Sequence, residues 1–315
     1  MRRHDEQWLA YFAAEGYPAA EPLGAGMEGA VYKLDGDLVA KVWGERPAGQ
    51  LRRLGSFYAY LDSAGLPFLT PLFHEVRGVS GRAVTVERRL PGVPLDDKRF
   101  SGPGAWPGAL SCVVSVLEAF TAVPDAPQLR ALPVLDEDAA PWAGRDRWSQ
   151  TLSDLVTRRA ERSGGLLRQS VPDFDGKLDK LLRGLAATGE TMTALAHGDL
   201  IPGNILVDGD LHPLAVLDFG FLSTAADPAF DAAVTASVYD MYSPAARETE
   251  RRIDEALISR FGYNPRRLAL YRAAYAVITS TAYDPSGRDG HYQWCVDMLS
   301  RDSVAQALNA APEDV

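Results

Sequence analysis

The chain has 315 residues, of which 46% are hydrophobic and 23% charged, and its formal net charge is −10. This composition is that of an ordinary globular protein, and the length favours two lobes or domains over a single compact core. The acidic balance argues against nucleic acid as a partner, and no apolar run is long enough to span a membrane, so we expect a cytoplasmic protein with no membrane partner.

The N-terminal part of the chain predicts a helix followed by a small antiparallel sheet. The helix is expected over 5–16, where aromatic residues recur at helical spacing. A glycine-rich hairpin follows and leads into a second strand over 37–43. This arrangement differs from the strand–loop–helix of a dinucleotide-binding fold. The hairpin matches the pattern G-x-G-x-x-G-x-V at Gly24, Gly26, Gly29 and Val31.

The middle of the chain alternates short strands and amphipathic helices. Apolar spacing and turn residues predict a helix over 47–64, strands over 69–75 and 83–88, and helices over 108–122, 146–162 and 173–187. Asp173 is expected to cap the last of these helices. Trp142 and Trp148 lie in a proline-rich stretch without a chemical signature, where burial is the expected role of a tryptophan.

The most informative stretch is A-H-G-D-L-I-P-G-N-I-L-V, residues 196–207, followed by V-L-D-F-G at 216–220. Two short apolar runs flank the turn Asp208-Gly209-Asp210, which is a strong β-hairpin signal. Such a hairpin returns Asp218 towards Asn204, and their oxygens suit Mg²⁺ that substrate phosphates also bind. Asp199 precedes the hairpin without a basic neighbour in sequence, so it is free to accept a proton from a hydroxyl.

These two motifs resemble the catalytic loop and metal-binding Asp of protein-kinase-like phosphotransferases. Because His197 is followed by Gly198 rather than Arg, the chain is most similar to the aminoglycoside phosphotransferase family. The resemblance implies an α+β, bilobal, protein-kinase-like fold. Its small lobe, with an antiparallel sheet and a helix, would span 1–91, and its larger, mostly helical lobe would span 93–315. The hinge would lie at about 86–92.

The resemblance also implies roles for residues of the small lobe. The glycine-rich loop would cover the nucleotide phosphates, and Lys41 would bind them. The backbone of Glu87 and Leu90, in the hinge, would receive the adenine. In kinases a glutamate on the following helix pairs with the lysine, but no acid occurs between Gln50 and Leu61 here. Glu28 and Glu75 are substitutes that the sequence offers, and the partner of Lys41 stays unassigned.

The C-terminal part is predicted to be helical, over 228–241, 245–261, 265–281 and 292–308. A D-P-x-x-D pattern opens it, in which Asp227 is expected to cap a helix and Asp231 to be structural. No A-P-E sequence follows this pattern within the next 80 residues to end a peptide-docking segment, so the acceptor is expected to be a small molecule. Acids and aromatics that could hold a cationic acceptor, without any ranked as a site, are Asp240, Tyr242, Asp284, Asp289 and Trp294.

The sequence therefore predicts a phosphotransferase that moves the γ-phosphate of ATP to a hydroxyl of a small molecule. Asp199 is the predicted base, Asn204 and Asp218 the Mg²⁺ ligands, and GTP an alternative donor. An antibiotic is the first expectation for the acceptor, whether an aminoglycoside, a macrolide or another natural product. A metabolic kinase of homoserine, choline, a fructosamine or a sugar is the alternative, and a nucleotide-binding pseudokinase is a further one. The sequence does not set the oligomeric state.

Overall fold

The structure is a computed structural model that describes residues 2–26, 29–44, 46, 48–100 and 104–310. The chain divides into two compact units. The first comprises Met1–Pro94 with Ile205–Leu217, and the second comprises Leu95–Asn204 with Asp218–Val315. The hairpin that follows the predicted catalytic loop in sequence thus belongs, by its contacts, to the first unit. Within the described ranges, no helix is both long and apolar enough to cross a membrane.

The first unit is built on a five-stranded antiparallel sheet in the order β1-β2-β3-β5-β4. Two helices accompany it, α1 (Arg2–Ala14) and α2 (Ala48–Ser63). The strands are β1 (Glu21–Gly26), β2 (Gly29–Lys33), β3 (Leu38–Trp43), β4 (Phe73–Val79) and β5 (Arg82–Arg88). A second sheet of this unit joins β6 (Val93–Pro94), β8 (Ile205–Val207) and β9 (Pro213–Val216) in that order.

The two faces of the five-stranded sheet carry different side chains, as strand alternation requires. One face packs against α1 in a cluster of buried residues: Trp8, Phe12, Tyr32, Leu34, Ala40, Val42, Val84 and Val86. On the other face, Phe73 contacts both Trp43 and Tyr58 of α2, with ring centroids 6.2 and 5.1 Å apart. Lys41 lies on this second face, because it alternates with Ala40 and Val42 along β3.

The strand predicted over 69–75 is wrong in its position, since β4 begins at Phe73 and continues to Val79. Pro67 and Pro71 cannot donate to a ladder, which excludes the earlier residues from the sheet. Leu69 instead pairs with the hairpin: its N–H donates to Leu214 O at 2.9 Å, and its C=O accepts from Val216 N at 3.0 Å. The predicted hairpin itself is confirmed, with Ile205 opposite Val216.

Gly29 is required by the sheet itself, because it has a φ of +149° and a Cβ there would lie 2.1 Å from the carbonyl oxygen of Val42. We expect Gly29→Ala to lower the free energy of unfolding by about 1–3 kcal/mol, since backbone atoms would have to move. Gly24→Ala is the matched control, because a Cβ at Gly24 meets no atom within 4 Å. Thermal unfolding of the two variants measures the difference, and equal midpoints would contradict this account of Gly29.

The second unit is mainly helical. Two short strands, β7 (Ala194–Ala196) and β10 (Thr224–Ala226), pair antiparallel within it. Among the described residues its helices are α3 (Trp106–Thr121), α4 (Pro127–Arg130), α5 (Trp148–Ser170), α6 (Phe174–Ala187), α7 (Pro228–Val238), α8 (Ala246–Phe261), α9 (Pro265–Thr279), α10 (Gly290–Leu299) and α11 (Asp302–Leu308). Helices α7 and α9 are buried on nearly all sides, as expected for the centre of a bundle.

Two details of the predicted helices are wrong. Asp173 precedes α6 in a left-handed conformation (φ 54°), and its side chain does not accept a capping hydrogen bond from this helix. The predicted helix over 292–308 is two helices, α10 and α11. Arg301 lies at the break, where its guanidinium contacts both carboxylate oxygens of Glu250 at 2.8 and 2.7 Å. This buried ion pair fixes the chain between the two helices.

Candidate active site

The predicted catalytic loop follows strand β7, and a buried carboxylate holds its start. Asp231, in the first turn of α7, accepts hydrogen bonds from the backbone N–H groups of His197 (2.9 Å) and Gly198 (2.8 Å). Asp227 caps the same helix, accepting from Ala229 N at 2.9 Å, and also accepts from the Tyr271 hydroxyl at 2.7 Å. The D-P-x-x-D motif therefore links α7 to the loop, and the structural roles predicted for both acids are confirmed.

Asp231→Asn should loosen this anchor, because an amide can offer only one oxygen to two N–H donors and must place its own NH₂ group beside the other. Since the site is buried, we expect a loss of about 1–3 kcal/mol in the free energy of unfolding. The turnover rate should fall as well. Chemical denaturation of wild type and variant is the measurement, and an unchanged midpoint would contradict the anchoring role.

Gly198 explains why the motif reads H-G-D in this chain. Its φ is +75°, and a Cβ would lie 2.4 Å from the Cβ of Leu222 and 2.8 Å from that residue's backbone. A side chain such as arginine is therefore excluded at this position without a rearrangement of the 218–223 segment. The difference from protein kinases is thus imposed by local packing.

His197 is completely buried and serves the loop as a packing and hydrogen-bonding residue. Its ring lies between Phe120 and Phe219, with centroids 6.4 and 4.6 Å away. Its Nδ1 accepts a hydrogen bond from Asp199 N at 3.2 Å. Its ring therefore orients the backbone that carries Asp199, and its burial keeps it from acting as a second base.

Asp199 lies in an electronegative, partly desolvated position. Burial, followed by the nearby negative charges of Asp218 and Asp231, raises the pKa of its carboxyl to about 7. The backbone C=O of Asp199 accepts from Ile201 N and from the Asn204 side-chain amide, both at 2.9 Å. These hydrogen bonds hold the loop within itself, and the carboxylate of Asp199 lies near that of Asp218.

Asn204 and Asp218 flank the hairpin β8–β9, and their chemistry suits a magnesium ion. The amide nitrogen of Asn204 donates to the backbone C=O of Asp199, so the amide oxygen is the atom that could bind a metal ion. Asp218 is exposed and has a left-handed backbone conformation (φ 54°), a strained state that concentrates at functional sites. A cation here would also relieve the repulsion between Asp199 and Asp218. Within the described ranges, no group of three or more His, Cys, Asp or Glu side chains could hold a metal ion.

A cavity of about 360 Å³ in the second unit contains Asp199 in its wall. Two further acids, Asp96 and Asp240, line it. None of its described lining residues is Lys or Arg, so the cavity is negatively charged. The remaining lining residues are Ile201, Pro202, Gly203, Val238, Tyr239, Met241, Tyr242, Ser243, Tyr275, Tyr283 and His291.

The tyrosines and the histidine of this cavity are uncharged at neutral pH. Burial, followed by the charge of Asp199, raises the pKa of the Tyr275 and Tyr283 hydroxyls. Burial lowers the pKa of His291 to about 4, so its ring is neutral. The cavity therefore combines carboxylates with uncharged aromatic groups, which is a surface suited to a polar cation.

Sequence reasoning found only part of this cavity. Of the acids and aromatics noted in the C-terminal part, Asp240 and Tyr242 line it, whereas Asp289 caps α10 through Tyr292 N at 2.7 Å and Trp294 is buried in the core. Asp284 accepts hydrogen bonds within its own turn. Asp96, Tyr283 and His291 were not predicted as a group, because they are distant in sequence and carry no motif.

Trp142 and Trp148 are buried, as predicted, and do not line the cavity that contains Asp199. The indole N–H of Trp142 donates to Ala225 O at 3.0 Å, and the Arg130 guanidinium lies 3.9 Å from its ring centroid. A larger cavity of about 590 Å³ lies beside Trp142, but none of the predicted catalytic residues lines it. The tryptophans therefore support the framework of this unit.

The predicted nucleotide-binding residues lie together on the sheet of the first unit. Val31 pairs with Lys41, and Gly26 pairs with Gly29 at the end of the β1–β2 ladder. The suggested partner Glu75 forms an ion pair with Arg77 instead, and Glu28 lies outside the described residues.

The predicted hinge begins where β5 ends. Glu87 is the next-to-last residue of β5 and pairs with Val39, and Leu90 follows the strand. Neither backbone group of Leu90 hydrogen-bonds to a residue that the structure describes, so both are available to a ligand. A cavity of about 450 Å³ lies at this segment, lined by Leu90, Pro91 and Gly92 among others.

A family model decides the identity of the chain: the phosphotransferase enzyme family (APH) matches residues 19–271. The chain belongs to this family. It is therefore a phosphotransferase, and the predicted enzyme class, a kinase acting on a hydroxyl group, is confirmed. No curated protein sequence compared with this member of the phosphotransferase family is significantly similar to it.

Solved structures show the fold of this phosphotransferase. The ADP and streptomycin complex of aminoglycoside phosphotransferase APH(3'')-Id from Streptomyces rimosus is 18% identical, covers 87% of this chain and 98% of its own, and has a TM-score of 0.59. The GDP and kanamycin complex of APH(2'')-IIia is 16% identical, covers 95% of this chain and 97% of its own, and has a TM-score of 0.62. The macrolide 2'-phosphotransferase MphH from Brachybacterium faecium is 18% identical, covers 93% of this chain and 98% of its own, and has a TM-score of 0.59. The predicted α+β protein-kinase-like fold is confirmed.

Proposed function

We propose that this phosphotransferase transfers the γ-phosphoryl group of ATP to a hydroxyl of a cationic small molecule, with an aminoglycoside antibiotic as the first candidate. The observation that carries the proposal is the acidic, aromatic cavity with Asp199 in its wall. An acceptor bound there places its hydroxyl groups beside the carboxylate, and its ammonium groups beside Asp96 and Asp240. Streptomycin and kanamycin are bound in structures of two similar proteins, which supports an aminoglycoside as the acceptor.

Asp199 is the proposed general base. Its carboxylate orients the acceptor hydroxyl and takes the proton as the new O–P bond forms and the bond to the leaving ADP breaks. Because the hydroxyl becomes acidic only late in transfer, positioning is the larger contribution of this residue. The neutral hydroxyls of Tyr275 and Tyr283 can hold other polar groups of the acceptor without competing for that proton.

Asn204 and Asp218 are the proposed ligands of Mg²⁺. When bound, the ion neutralises charge on the nucleotide phosphates. Lys41 would bind the α- and β-phosphates, and the loop of Gly24, Gly26 and Gly29 would cover the β- and γ-phosphates. The backbone groups of Leu90 would receive the base of the nucleotide, with Glu87 at the start of the same segment. The structures of similar proteins contain ADP or GDP, so GTP is proposed as an alternative donor.

Acceptor-dependent release of nucleoside diphosphate tests the proposal. The wild type is incubated with Mg²⁺ and either ATP or GTP, with kanamycin, streptomycin, a macrolide, homoserine, choline or a neutral sugar as acceptor. We expect turnover with a cationic aminoglycoside and little with the neutral sugar, since the cavity wall is acidic. Turnover with the sugar or homoserine, and none with the aminoglycosides, would contradict the assignment of the acceptor.

A further inference from the structure

On the sheet of the first unit, the ring of Trp43 contacts the ammonium group of Lys41. The ammonium nitrogen of Lys41 lies 3.9 Å from the centroid of the Trp43 ring. The two residues alternate with Val42 along β3, so both lie on the same face of the sheet. Trp43 is 2% exposed, so the interaction is shielded from water on the indole side. Cation–π attraction is strongest for a tryptophan ring and for a partly desolvated cation.

Polar contacts fix the plane of this indole. The Trp43 Nε1–H donates to the hydroxyl oxygen of Thr85 at 2.8 Å. The Thr85 hydroxyl in turn donates to the carboxylate of Glu87, which is buried. Thr85 lies directly opposite Lys41 in the β3–β5 register, so the whole set occupies one patch of the sheet. Phe73 packs edge-on against the indole from β4, at an interplanar angle of 69°.

We infer that Trp43 is the positioning residue of Lys41, and that Thr85 and Glu87 hold its indole in the orientation that places the ammonium group for nucleotide phosphates. The indole thus gives Lys41 a rigid aromatic seat on the sheet. This inference rests on the phosphate-binding role proposed above for Lys41.

The test compares Mg·ATP affinity, by calorimetry on the full chain, for Trp43→Leu, Trp43→Phe and Thr85→Val. We expect Trp43→Leu to weaken binding roughly 5- to 20-fold, since a shielded cation–π contact is worth about 1–2 kcal/mol. Trp43→Phe keeps a ring and should lose less. Thr85→Val is nearly isosteric and releases the indole N–H, so it should weaken binding in the same direction.

Trp8→Leu is the matched control. Trp8 is also 2% exposed and lies in the core of the same unit, but it packs against the opposite face of the sheet. It should lower thermal stability comparably and leave Mg·ATP affinity unchanged. If Trp8→Leu weakened nucleotide binding as much as Trp43→Leu does, the inference would be overturned, because the effect would then be one of general core damage.

A double-mutant cycle with Lys41→Ala separates positioning from other roles of Trp43. Once Lys41 is absent, Trp43→Leu should have little further effect on affinity. Effects that simply multiply would overturn the inference, including the case in which the indole acts through Arg46, whose guanidinium carbon lies 5.3 Å from the same ring centroid. Failure of the proposed function is a different result: Lys41→Ala would then bind Mg·ATP as tightly as the wild type does.

Discussion

Asp199→Asn should reduce the turnover number by about 10²–10⁴-fold and leave nucleotide affinity nearly unchanged. The substitution removes the acceptor of the hydroxyl proton but keeps the shape of the side chain. The loop should stay folded, because its hydrogen bonds to Asn204 and Ile201 involve the backbone C=O of residue 199 and not its carboxylate. Steady-state kinetics measure the turnover, and calorimetry with Mg·ATP measures the affinity.

Asp210→Asn is the matched control for this variant. Asp210 lies in the exposed turn of the β8–β9 hairpin, in the same stretch of sequence, and carries no assigned role. The same chemical change there should leave turnover and affinity as in the wild type. Transfer by the Asp199 variant at the rate of the Asp210 variant would mean that another group accepts the proton.

Asp218→Asn should abolish the part of nucleotide affinity that depends on magnesium. An amide oxygen is a poorer ligand than a carboxylate, and the substitution also removes a negative charge beside Asp199. We therefore expect the variant to bind ATP in the presence of Mg²⁺ about as weakly as the wild type binds it in EDTA. Turnover should fall together with affinity, whereas in the Asp199 variant turnover falls alone.

Titrating ATP into each protein with Mg²⁺ and with EDTA makes this comparison. Asp208→Asn is the control, because Asp208 is a turn residue that accepts from Asp210 N and His212 N, both at 2.9 Å. Its magnesium dependence should match that of the wild type. An Asp218 variant that kept the full difference between Mg²⁺ and EDTA would show that the ion is held by other groups.

The parts of the site that could be predicted from the sequence are those whose residues lie close together along the chain. A loop and a tight hairpin leave few ways to place Asp199, Asn204 and Asp218, and the hairpin, the Asp227 cap and the anchoring role of Asp231 are present in the structure. The β-hairpin after the glycine pattern was predicted from two strand-like runs joined by a short turn, and the structure adds that Gly29 is needed where its backbone meets Val42.

The parts that could not be predicted depend on contacts between distant segments. The cavity takes residues from the start of the second unit, the catalytic loop, the 238–243 segment, α9, the following loop and α10, and no local pattern marks them as neighbours. The seat of Lys41 likewise depends on the β3–β5 register, which sets Thr85 opposite it. The strand placed too early at 69–75 shows the same limit, because Leu69 pairs with a hairpin far along the chain.

The most direct measurement is mass spectrometry of the acceptor after incubation with Mg²⁺ and ATP labelled with ¹⁸O at the three non-bridging γ-oxygens. Kanamycin is the first acceptor, and Asp199→Asn is the parallel sample. The account predicts one phosphoryl group per acceptor molecule, carrying all three labelled oxygens, with the wild type and almost none with the variant. Labelled inorganic phosphate with an unmodified acceptor, or equal product from both proteins, would contradict it.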